Sequence, residues 1–410
     1  MYLIKKGKSP WNTLKKFASR NMNENWLSND MCTGCNACAD KCPVNAITMC
    51  DDAGCRKPDI DLEKCISCNL CRKICPNYNP LCSSTYDKKS YIAYYKDQYV
   101  SIKSSSGGIF AALACHFLSK EDGVVYGATI VYEKSSIKCK HIRIEKIEEL
   151  NRLQGTKYYQ SRMDGIYNKV KNDLSSGKKV LFSGTSCQVA SLRNFVGDVD
   201  GLYTVDLVCH GVPKDSIVRD YLLFLSRKYK GKVVDISFRS KKFLFHKKPM
   251  PYVLNVTFED DKETIFTKTI IRPRSAFYSL FMSRAGYRES CYYCKYASLE
   301  KPGDLTLGDF RPTNQEIDQL NLEQNEHYSS VFVHNQKGQK LLDAISTDAI
   351  MYEIPMDEML KHHYNMNKPS VITNDGKILL DLYLKGGFPK LQRRVDINFL
   401  KAQIKSLILK

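Results

Sequence analysis

The pattern of hydrophobic and polar positions changes near residue 90. Before this point, apolar residues form short groups interrupted by prolines, which predicts loops and turns. After it, apolar runs of strand length alternate with amphipathic stretches of helical length. Strands are predicted at residues 91–95, 124–131, 142–144, 179–182, 202–208, 232–239, 252–258 and 263–271. A loop leading into an apolar helix is predicted at 104–120, and helices at 145–153, 161–175, 213–229 and over most of the last 60 residues.

Composition is that of a globular protein of two or three domains, with 43% hydrophobic and 26% charged residues in a chain of 410. The N-terminal residues lack the apolar segment of a signal peptide, and no apolar run approaches the roughly 18 residues of a membrane helix. We therefore expect a cytoplasmic protein without an integral membrane segment. The net charge of +18 favours acidic partners or phosphorylated ligands. A plain solvated surface is the alternative, and no motif for nucleic-acid recognition accompanies the charge.

Eight of the 17 cysteines form two runs of identical spacing near the N-terminus. Each run has the form C-x2-C-x2-C-x3-C-P. Three cysteines at i, i+3 and i+6 can surround one face of a 4Fe–4S cluster, and in two-cluster ferredoxins the fourth cysteine binds the other cluster. The predicted ligands of the first cluster are Cys32, Cys35, Cys38 and Cys75. The predicted ligands of the second cluster are Cys65, Cys68, Cys71 and Cys42.

Zinc is the alternative metal for such cysteines. Zinc sites use two C-x2-C pairs or Cys/His mixtures with four ligands. Two complete runs, each with a trailing Cys-Pro, do not fit that pattern, and no histidine precedes His116. Cys50, Cys55 and Cys82 lie outside the spacing and are expected not to bind iron.

Four further motifs follow residue 100. Ser104-Ser-Ser-Gly-Gly108 opens an apolar helix, where free backbone N–H groups suit a phosphate and where a serine N-cap explains the motif equally well. Gly184-Thr-Ser-Cys-Gln188 and Cys209-His-Gly-Val-Pro213 each place a cysteine just after a predicted strand, where α/β sheets bind ligands. The fourth motif is Cys291-Tyr-Tyr-Cys294, followed by Gly303-Asp-Leu-Thr-Leu-Gly-Asp-Phe310.

Together with Gln154–Ser161, and in this order, these motifs resemble the beta subunit family of the coenzyme F420 hydrogenases and dehydrogenases, F420 being a deazaflavin. The resemblance spans most of residues 90–310. Ser186 stands where related sequences usually have proline, and Arg311-Pro312 stands where bacterial relatives often have Trp-Gly. Nothing in the chain resembles a nickel–iron site, so we do not expect it to activate hydrogen alone.

The resemblance implies an FAD and a third 4Fe–4S cluster beside it. By motif position, the ligands of this cluster would be Cys187, Cys209, Cys291 and Cys294. The alternatives are inert core cysteines or a redox-active Cys291/Cys294 dithiol. The candidate FAD residues are Ser104, Ser105, Ser106, Gly107, Gly108, Lys157, Gln160, Gly184 and Thr185. Arg239 and Lys241, with Lys242, could bind flavin phosphates or an anionic substrate, or form a solvated charge run. His210 is a candidate proton donor, or it caps its turn.

The expected fold class is α+β or α/β, with a small ferredoxin-like two-cluster domain fused to a mixed-sheet α/β flavin-binding core and a helical C-terminal tail. The predicted segments are a basic N-terminal arm at 1–29 and the two-cluster domain at 30–82. The core follows in two parts, 90–170 and 171–345, with the third cluster in the second part. A helical C-terminal region is predicted at 346–410.

The leading hypothesis is an iron–sulfur flavoprotein oxidoreductase. It would exchange electrons with an external ferredoxin or a partner oxidoreductase subunit, and act on a small organic substrate such as F420. A flavin suits this role because it connects one-electron carriers with two-electron chemistry. The alternative is a non-catalytic electron-relay subunit of a larger complex. The sequence leaves substrate, electron direction and oligomeric state open.

Overall fold

The computed structural model describes residues 30–52, 54–81, 88–133, 136–241, 244–245, 248–249, 252–323 and 327–408. The predicted N-terminal arm, Cys82 and Lys242 lie outside these residues. The strands are β1 (Ile47–Asp52), β2 (Cys55–Ile60), β3 (Lys89–Tyr95), β4 (Val124–Glu133), β5 (Ser136–Ile144), β6 (Val180–Ser183), β7 (Leu202–Leu207), β8 (Lys232–Ser237), β9 (Leu244–Phe245), β10 (Lys248–Pro249), β11 (Leu254–Glu259), β12 (Ile265–Ile270), β13 (Leu305–Phe310), β14 (Tyr328–Val333) and β15 (Ala349–Ile354).

The helices are short in the N-terminal part and longer in the body. The α-helices are Ala37–Lys41, Leu70–Lys73, Gln98–Ser101, Ile109–Lys120, Ile166–Ser175, Ser186–Val196, Asp215–Tyr229, Ala276–Met282, Glu289–Tyr292, Asn314–Gln319, Gln336–Ala344, Met356–Lys361 and Asn374–Ile408. The last one is kinked at Gly386 and Gly387. Short 3₁₀ segments occupy Ile147–Arg152, Arg272–Arg274 and Tyr364–Met366. None of the described helices is long and apolar enough to cross a membrane.

An eight-stranded mixed sheet forms the centre of the body, in the order β15-β3-β14-β13-β7-β6-β4-β5. Four adjacent strands of this sheet, β13, β7, β6 and β4, are parallel. Side chains of β6 alternate between two apolar clusters, with Val180 and Phe182 in one and Leu181 in the other, so both faces of the sheet are covered. Because β6 and β7 run in the same direction, the segments that follow them leave the sheet at the same edge.

A three-stranded antiparallel sheet, in the order β12-β11-β8, packs with the helices Asp215–Tyr229 and Ala276–Met282 in a separate apolar cluster. The large aromatic side chains Tyr221, Phe258 and Phe277 are fully buried in this cluster. The C-terminal helix contributes Phe388 to it. The body therefore has two packed units, the large sheet with its helices and the small sheet beside it.

The N-terminal part, built on the β1–β2 hairpin, is docked on the body. Cys35 and Ile74 belong to the apolar cluster that contains Tyr167. The hydroxyl of Tyr167 donates to the carbonyl oxygen of Cys35 at 2.7 Å, and Arg56 pairs with Asp164 at 2.7 Å. The cysteine runs thus lie against the body rather than apart from it.

The expected fold class is confirmed, since a cysteine-rich N-terminal domain precedes a mixed-sheet body with a long C-terminal helix. Seven of the predicted strands overlap strands of the structure: 91–95 with β3, 124–131 with β4, 179–182 with β6, 202–208 with β7, 232–239 with β8, 252–258 with β11 and 263–271 with β12. The predicted strand at 142–144 is the end of the longer β5, and the predicted helix at 145–153 is the 3₁₀ turn Ile147–Arg152. Sequence reasoning missed β1, β2, β9, β10, β13, β14 and β15. The last of these lies within the stretch expected to be helical from residue 346.

Candidate functional site

The two N-terminal cysteine runs follow the same backbone path. Gly34 and Asn36 in the first run, and Ser67 and Asn69 in the second, all have φ between 54° and 72°. This left-handed region favours glycine and tolerates asparagine. Each run then enters a short helix, Ala37–Lys41 or Leu70–Lys73. The backbone of both runs therefore turns in the same way. This similarity is expected if the two runs bind the same kind of group.

The first cysteine set, Cys32, Cys35, Cys38 and Cys75, combines three members of the first run with the last member of the second. Burial, and then the charges of Cys35, Cys32, Cys75 and Cys71, raise the pKa of Cys38 well above its ordinary value. Burial and the charges of Cys35 and Cys32 raise the pKa of Cys75 to about 12. The structure therefore brings the thiols of this set close enough to influence one another, as the spacing predicts.

The second cysteine set is Cys65, Cys68 and Cys71, with Cys42 from the first run. Burial, together with the charges of Cys68 and Cys65, raises the pKa of Cys71. Cys42 and Cys71 border the same small apolar cluster, around Ile47. Cys65 and Cys68 are exposed, whereas Cys35 and Cys38 of the first set are buried. The second set therefore lies at the surface and the first set beneath it.

The third cysteine set is Cys187, Cys209, Cys291 and Cys294. Cys187 lies in the first turn of Ser186–Val196 after β6, Cys209 follows β7, and the other two flank the end of the short helix Glu289–Tyr292. Burial, and then the charges of Cys294, Cys209 and Cys291, raise the pKa of Cys187 well above its ordinary value. The structure therefore brings together four thiols from three separate segments.

The donors around the third cysteine set suit thiolate ligands. The backbone N–H of Val212 points to Sγ of Cys291 at 3.4 Å, and the hydroxyl of Thr185 lies 3.2 Å from Sγ of Cys187. Hydrogen bonds to sulfur are a recognised feature of iron–sulfur sites. Among the described residues, no group of three or more His, Cys, Asp or Glu side chains is arranged to hold a single metal ion.

Tyr296 and Arg288 lie between the first and third cysteine sets. The Tyr296 hydroxyl donates to the carbonyl oxygen of Pro76 at 2.8 Å. Its pKa is raised by burial and then by the charges of Cys187, Cys294, Cys35 and Cys75, members of both sets. Arg288, 3% exposed, donates to the carbonyl oxygens of Cys32 at 3.1 Å and Arg56 at 2.8 Å. Its charge also lowers the pKa of Cys291, against the larger effect of burial.

The serine loop, Ser104–Gly108, is fixed by the sheet and by one lysine. Gly107 is packed so tightly that a Cβ atom would lie 2.3 Å from the carbonyl oxygen of Ala93. The Ser106 hydroxyl donates to the carbonyl oxygen of Tyr328 at 2.6 Å. Nζ of Lys241 donates to the carbonyl oxygens of Ser101 at 3.0 Å and Ser106 at 2.6 Å. The structure therefore joins two of the predicted flavin-site segments.

Segment 154–161 connects the serine loop with the turn after β6. The Thr156 hydroxyl donates to the Ser105 hydroxyl at 2.6 Å, and Nε2 of Gln188 donates to the carbonyl oxygen of Ser161 at 3.2 Å. Thr185 and Gln188 form a capping box at the start of Ser186–Val196. Oε1 of Gln160 is buried without a hydrogen-bond partner among the described residues. Such an orphaned acceptor fits a site completed by a bound group.

Lys157 is placed differently from the expectation for a phosphate ligand. Its Nζ donates to the carbonyl oxygens of Leu153 and Gln154, both at 2.7 Å. Burial lowers the pKa of Lys157 to about 8. The ammonium group is therefore directed toward its own backbone turn.

Three guanidinium groups surround one tyrosine ring near the serine loop. Those of Arg239, Arg272 and Arg311 lie 5.1, 5.7 and 4.9 Å from the ring centroid of Tyr252. Arg239 also pairs with Asp309, at the end of β13, at 2.6 Å. We call this group the Tyr252 arginine cluster. Sequence reasoning identified only Arg239, because the other members come from distant segments.

The Tyr252 arginine cluster has little negative charge to balance it. Arg272 and Arg311 have no carboxylate partner within the part of the chain that the structure describes, and residues 239–252 contain no Asp or Glu. Burial and the charges of Lys241, Arg239 and Arg311 lower the pKa of His327 to about 4. The arrangement can bind an anion.

His210 lies after β7, and its ring orientation is set by one contact. Its Nδ1 lies 2.6 Å from Oδ1 of Asn365, an acceptor, so Nδ1 carries the proton. Burial lowers the pKa of His210 below its ordinary value. A neutral His210 therefore presents an unprotonated Nε2, which accepts a proton rather than donating one. The Asp309 carboxylate, which pairs with Arg239 of the Tyr252 arginine cluster, also raises the pKa of His210 against the larger effect of burial.

Comparison with known proteins finds matches to both parts of the chain. Residues 31–79 match the family model of the 4Fe-4S dicluster domain, and residues 177–359 match that of the C terminus of the coenzyme F420 hydrogenase/dehydrogenase beta subunit. The subunit designated F of the F(420)H(2) dehydrogenase from Methanosarcina mazei is 21% identical over 347 residues, which cover 80% of this chain and 86% of the relative. A chain of the F420-reducing [NiFe] hydrogenase complex from Methanosarcina barkeri is 16% identical, with a TM-score of 0.42, over 75% of this chain and 92% of that chain.

The dicluster domain identifies an iron–sulfur electron-transfer protein. More specifically, residues 177–359 form a C-terminal domain of the coenzyme F420 hydrogenase/dehydrogenase beta subunit type, and a dicluster domain precedes it in the same chain. The resemblance expected from the sequence motifs is thereby confirmed. The family is one of oxidoreductases.

Proposed function

We propose that this protein is an iron–sulfur flavoprotein oxidoreductase with three 4Fe–4S clusters and one FAD. The single observation that carries the proposal is the convergence of the third cysteine set beside the first, with Tyr296 between them. Iron–sulfur clusters transfer single electrons, and a flavin exchanges them with two-electron substrates. A third set of half-buried thiols in the body, next to the dicluster domain, would provide the connection between the N-terminal clusters and a flavin.

The exposure of the cysteine sets supports an exchange with an external partner. Cys65 and Cys68 of the second set are exposed, the first set is more buried, and the third lies in the body. The second set is therefore the place for contact with a ferredoxin or a partner oxidoreductase subunit. We propose that the surplus of positive charge favours acidic partners of this kind.

The residues that would hold FAD lie in the serine loop, segment 154–161 and the turn Gly184–Thr185. The orphaned Oε1 of Gln160 and the contacts between these segments support this assignment. The nearby Tyr252 arginine cluster would bind an anionic part of the flavin or of a small organic substrate, for example F420. His210 would accept a proton at Nε2 during substrate oxidation, and donate it in the reverse direction.

Anaerobic purification with iron, sulfide and flavin measured per chain tests the proposal. The proposal expects about twelve irons and one FAD, whereas a relay subunit would carry about eight irons without flavin. Replacing Cys291 and Cys294 with serine should remove about four irons and leave the other eight. Replacement of the unassigned Cys50 and Cys55 is the matched control, and it should leave the iron content unchanged. Unchanged iron in the Cys291/Cys294 variant would eliminate the third cluster.

A further inference from the structure

Lys301 is a buried cation beside the third cysteine set. Its side chain is only 2% exposed. Nζ donates to the carbonyl oxygen of Tyr296 at 2.6 Å and to the hydroxyl of Ser186 at 3.4 Å. Tyr296 follows Cys294 by two residues, and Ser186 immediately precedes Cys187. The ammonium group therefore lies between the two segments that carry these cysteines.

Among the described residues, no carboxylate lies within ion-pair distance of Lys301. Within the described part of the chain it forms no ion pair, and its two hydrogen-bond acceptors are uncharged. The buried Asp206 carboxyl accepts a hydrogen bond from Thr306, and burial raises its pKa more than the charge of Lys301 lowers it, which favours the neutral form of this carboxyl. A cation removed from water is costly unless negative charge nearby compensates it.

The third cysteine set is where such compensation would come from. The positive charge of Lys301 lowers the pKa of Cys209 and of Cys294, although burial has the larger, opposite effect on both thiols. Binding a cluster requires all four thiols to be deprotonated. Four thiolates around an iron–sulfur core give the site the net negative charge that the surroundings of Lys301 otherwise lack.

We infer that Lys301 is a positioning residue that balances the charge of the third cluster and raises its reduction potential. This inference rests on the proposed third cluster. Reduction adds one negative charge, and a fixed cation nearby stabilises the reduced state more than the oxidised state. Without Lys301, the cluster therefore becomes harder to reduce.

Lys295 offers a matched control from the same loop. It is six residues earlier, and its Nζ donates to the carbonyl oxygen of Asn77. The charge of Cys75 raises its pKa, against the larger effect of burial, so Lys295 lies beside the first cysteine set. Two lysines of one loop thus lie beside different sets, and each should affect one cluster.

The test is a dithionite titration of the anaerobic full-length protein, followed by EPR in the presence of mediators. The signal that disappears in the Cys291→Ser/Cys294→Ser variant identifies the third cluster. For Lys301→Met, we expect the equilibrium constant for reduction of that cluster to fall at least tenfold, which is 59 mV for a one-electron couple. Lys301→Arg should keep the wild-type midpoint, and Lys295→Met should shift a different signal.

Each outcome decides the inference. An unchanged midpoint in fully loaded Lys301→Met overturns it and leaves the third cluster intact. A wild-type protein with only about eight irons refutes the proposed function itself, before any lysine variant is compared. If Lys301→Met loses the third cluster, the iron content of Lys301→Arg decides the matter. Retained iron in Lys301→Arg supports the requirement for a positive charge. Loss of iron in both variants shows a packing role and overturns the inference.

Discussion

Replacing Arg288 with methionine should loosen the contact between the dicluster domain and the body. Arg288 is 3% exposed and donates to the carbonyl oxygens of Cys32 and Arg56. Hydrogen bonds from a charged donor contribute about 1.5–3 kcal/mol each. Nε and Nη1 of Arg288 lack partners among the described residues, and removing them offsets part of the loss. We therefore expect a net cost of about 2–4 kcal/mol for the docked state.

Hydrogen exchange followed by mass spectrometry measures this cost directly. The amide of Ser216 donates to the carbonyl oxygen of Gly54 at 3.3 Å, and that of Gly165 to Oδ1 of Asp40 at 3.2 Å, so both amides report the contact. A cost of 2–4 kcal/mol corresponds to exchange about 30- to 1,000-fold faster. Arg284→Met is the control, because Arg284 stacks on Tyr364 at 4.7 Å and does not reach the dicluster domain. Equal exchange in wild type and Arg288→Met would refute the reasoning.

Three further predictions follow from single side chains. Burial raises the pKa of Asp215 to about 6. Between about pH 4 and 6 the native state therefore keeps a proton on this carboxyl that the unfolded state has released. The free energy of unfolding consequently falls as the pH rises through that window. Asp215→Asn should therefore raise the free energy of unfolding by up to about 3 kcal/mol above pH 7 and by less at pH 5; an equal thermal shift at both pH values would contradict this. Tyr296→Phe should lower the free energy of unfolding by about 1 kcal/mol, because the hydrogen bond to the carbonyl oxygen of Pro76 is lost, and it should leave the iron content unchanged. Loss of iron would contradict the view that this hydroxyl only connects the two parts of the chain. Arg311→Gln should weaken the binding of inorganic pyrophosphate about tenfold in calorimetry, whereas Arg274→Gln, whose side chain stacks on Phe399, should not; equal effects would contradict an anion site at Tyr252.

The N-terminal cysteine sets could be predicted because their geometry is local. A spacing of three residues determines which thiols can face one cluster, and the trailing Cys-Pro indicates where the chain leaves it. The third cysteine set has no such spacing apart from Cys291 and Cys294. Cys187 and Cys209 could be grouped with them only through the family resemblance. Their proximity depends on the parallel pairing of β6 with β7, which is a property of the whole sheet.

Other features could not be predicted because their sequence signals were weak or long-range. The strand β13 contains Gly308 and Asp309, which are disfavoured in strands, yet it is paired on both sides in the middle of the sheet. The strand β14, Tyr-Ser-Ser-Val-Phe-Val, is buried along its whole length and shows no alternation. Lys301 occurs in a loop with no motif of its own. Burial that arises from residues distant in sequence leaves no local pattern.

The body recognises the dicluster domain largely through its main chain. Tyr167, Arg288 and Tyr296 donate to carbonyl oxygens of residues 32–76, and Asn194 reaches those of Ile74 and Asn79. These donors make no demand on the side chains that they meet, so surface residues of the small domain can change without loss of the fit. They do require the peptide groups to follow one path, which bound iron would help to maintain. Oxidative loss of the first cluster should therefore weaken the docking of the dicluster domain on the body, in addition to removing a redox centre.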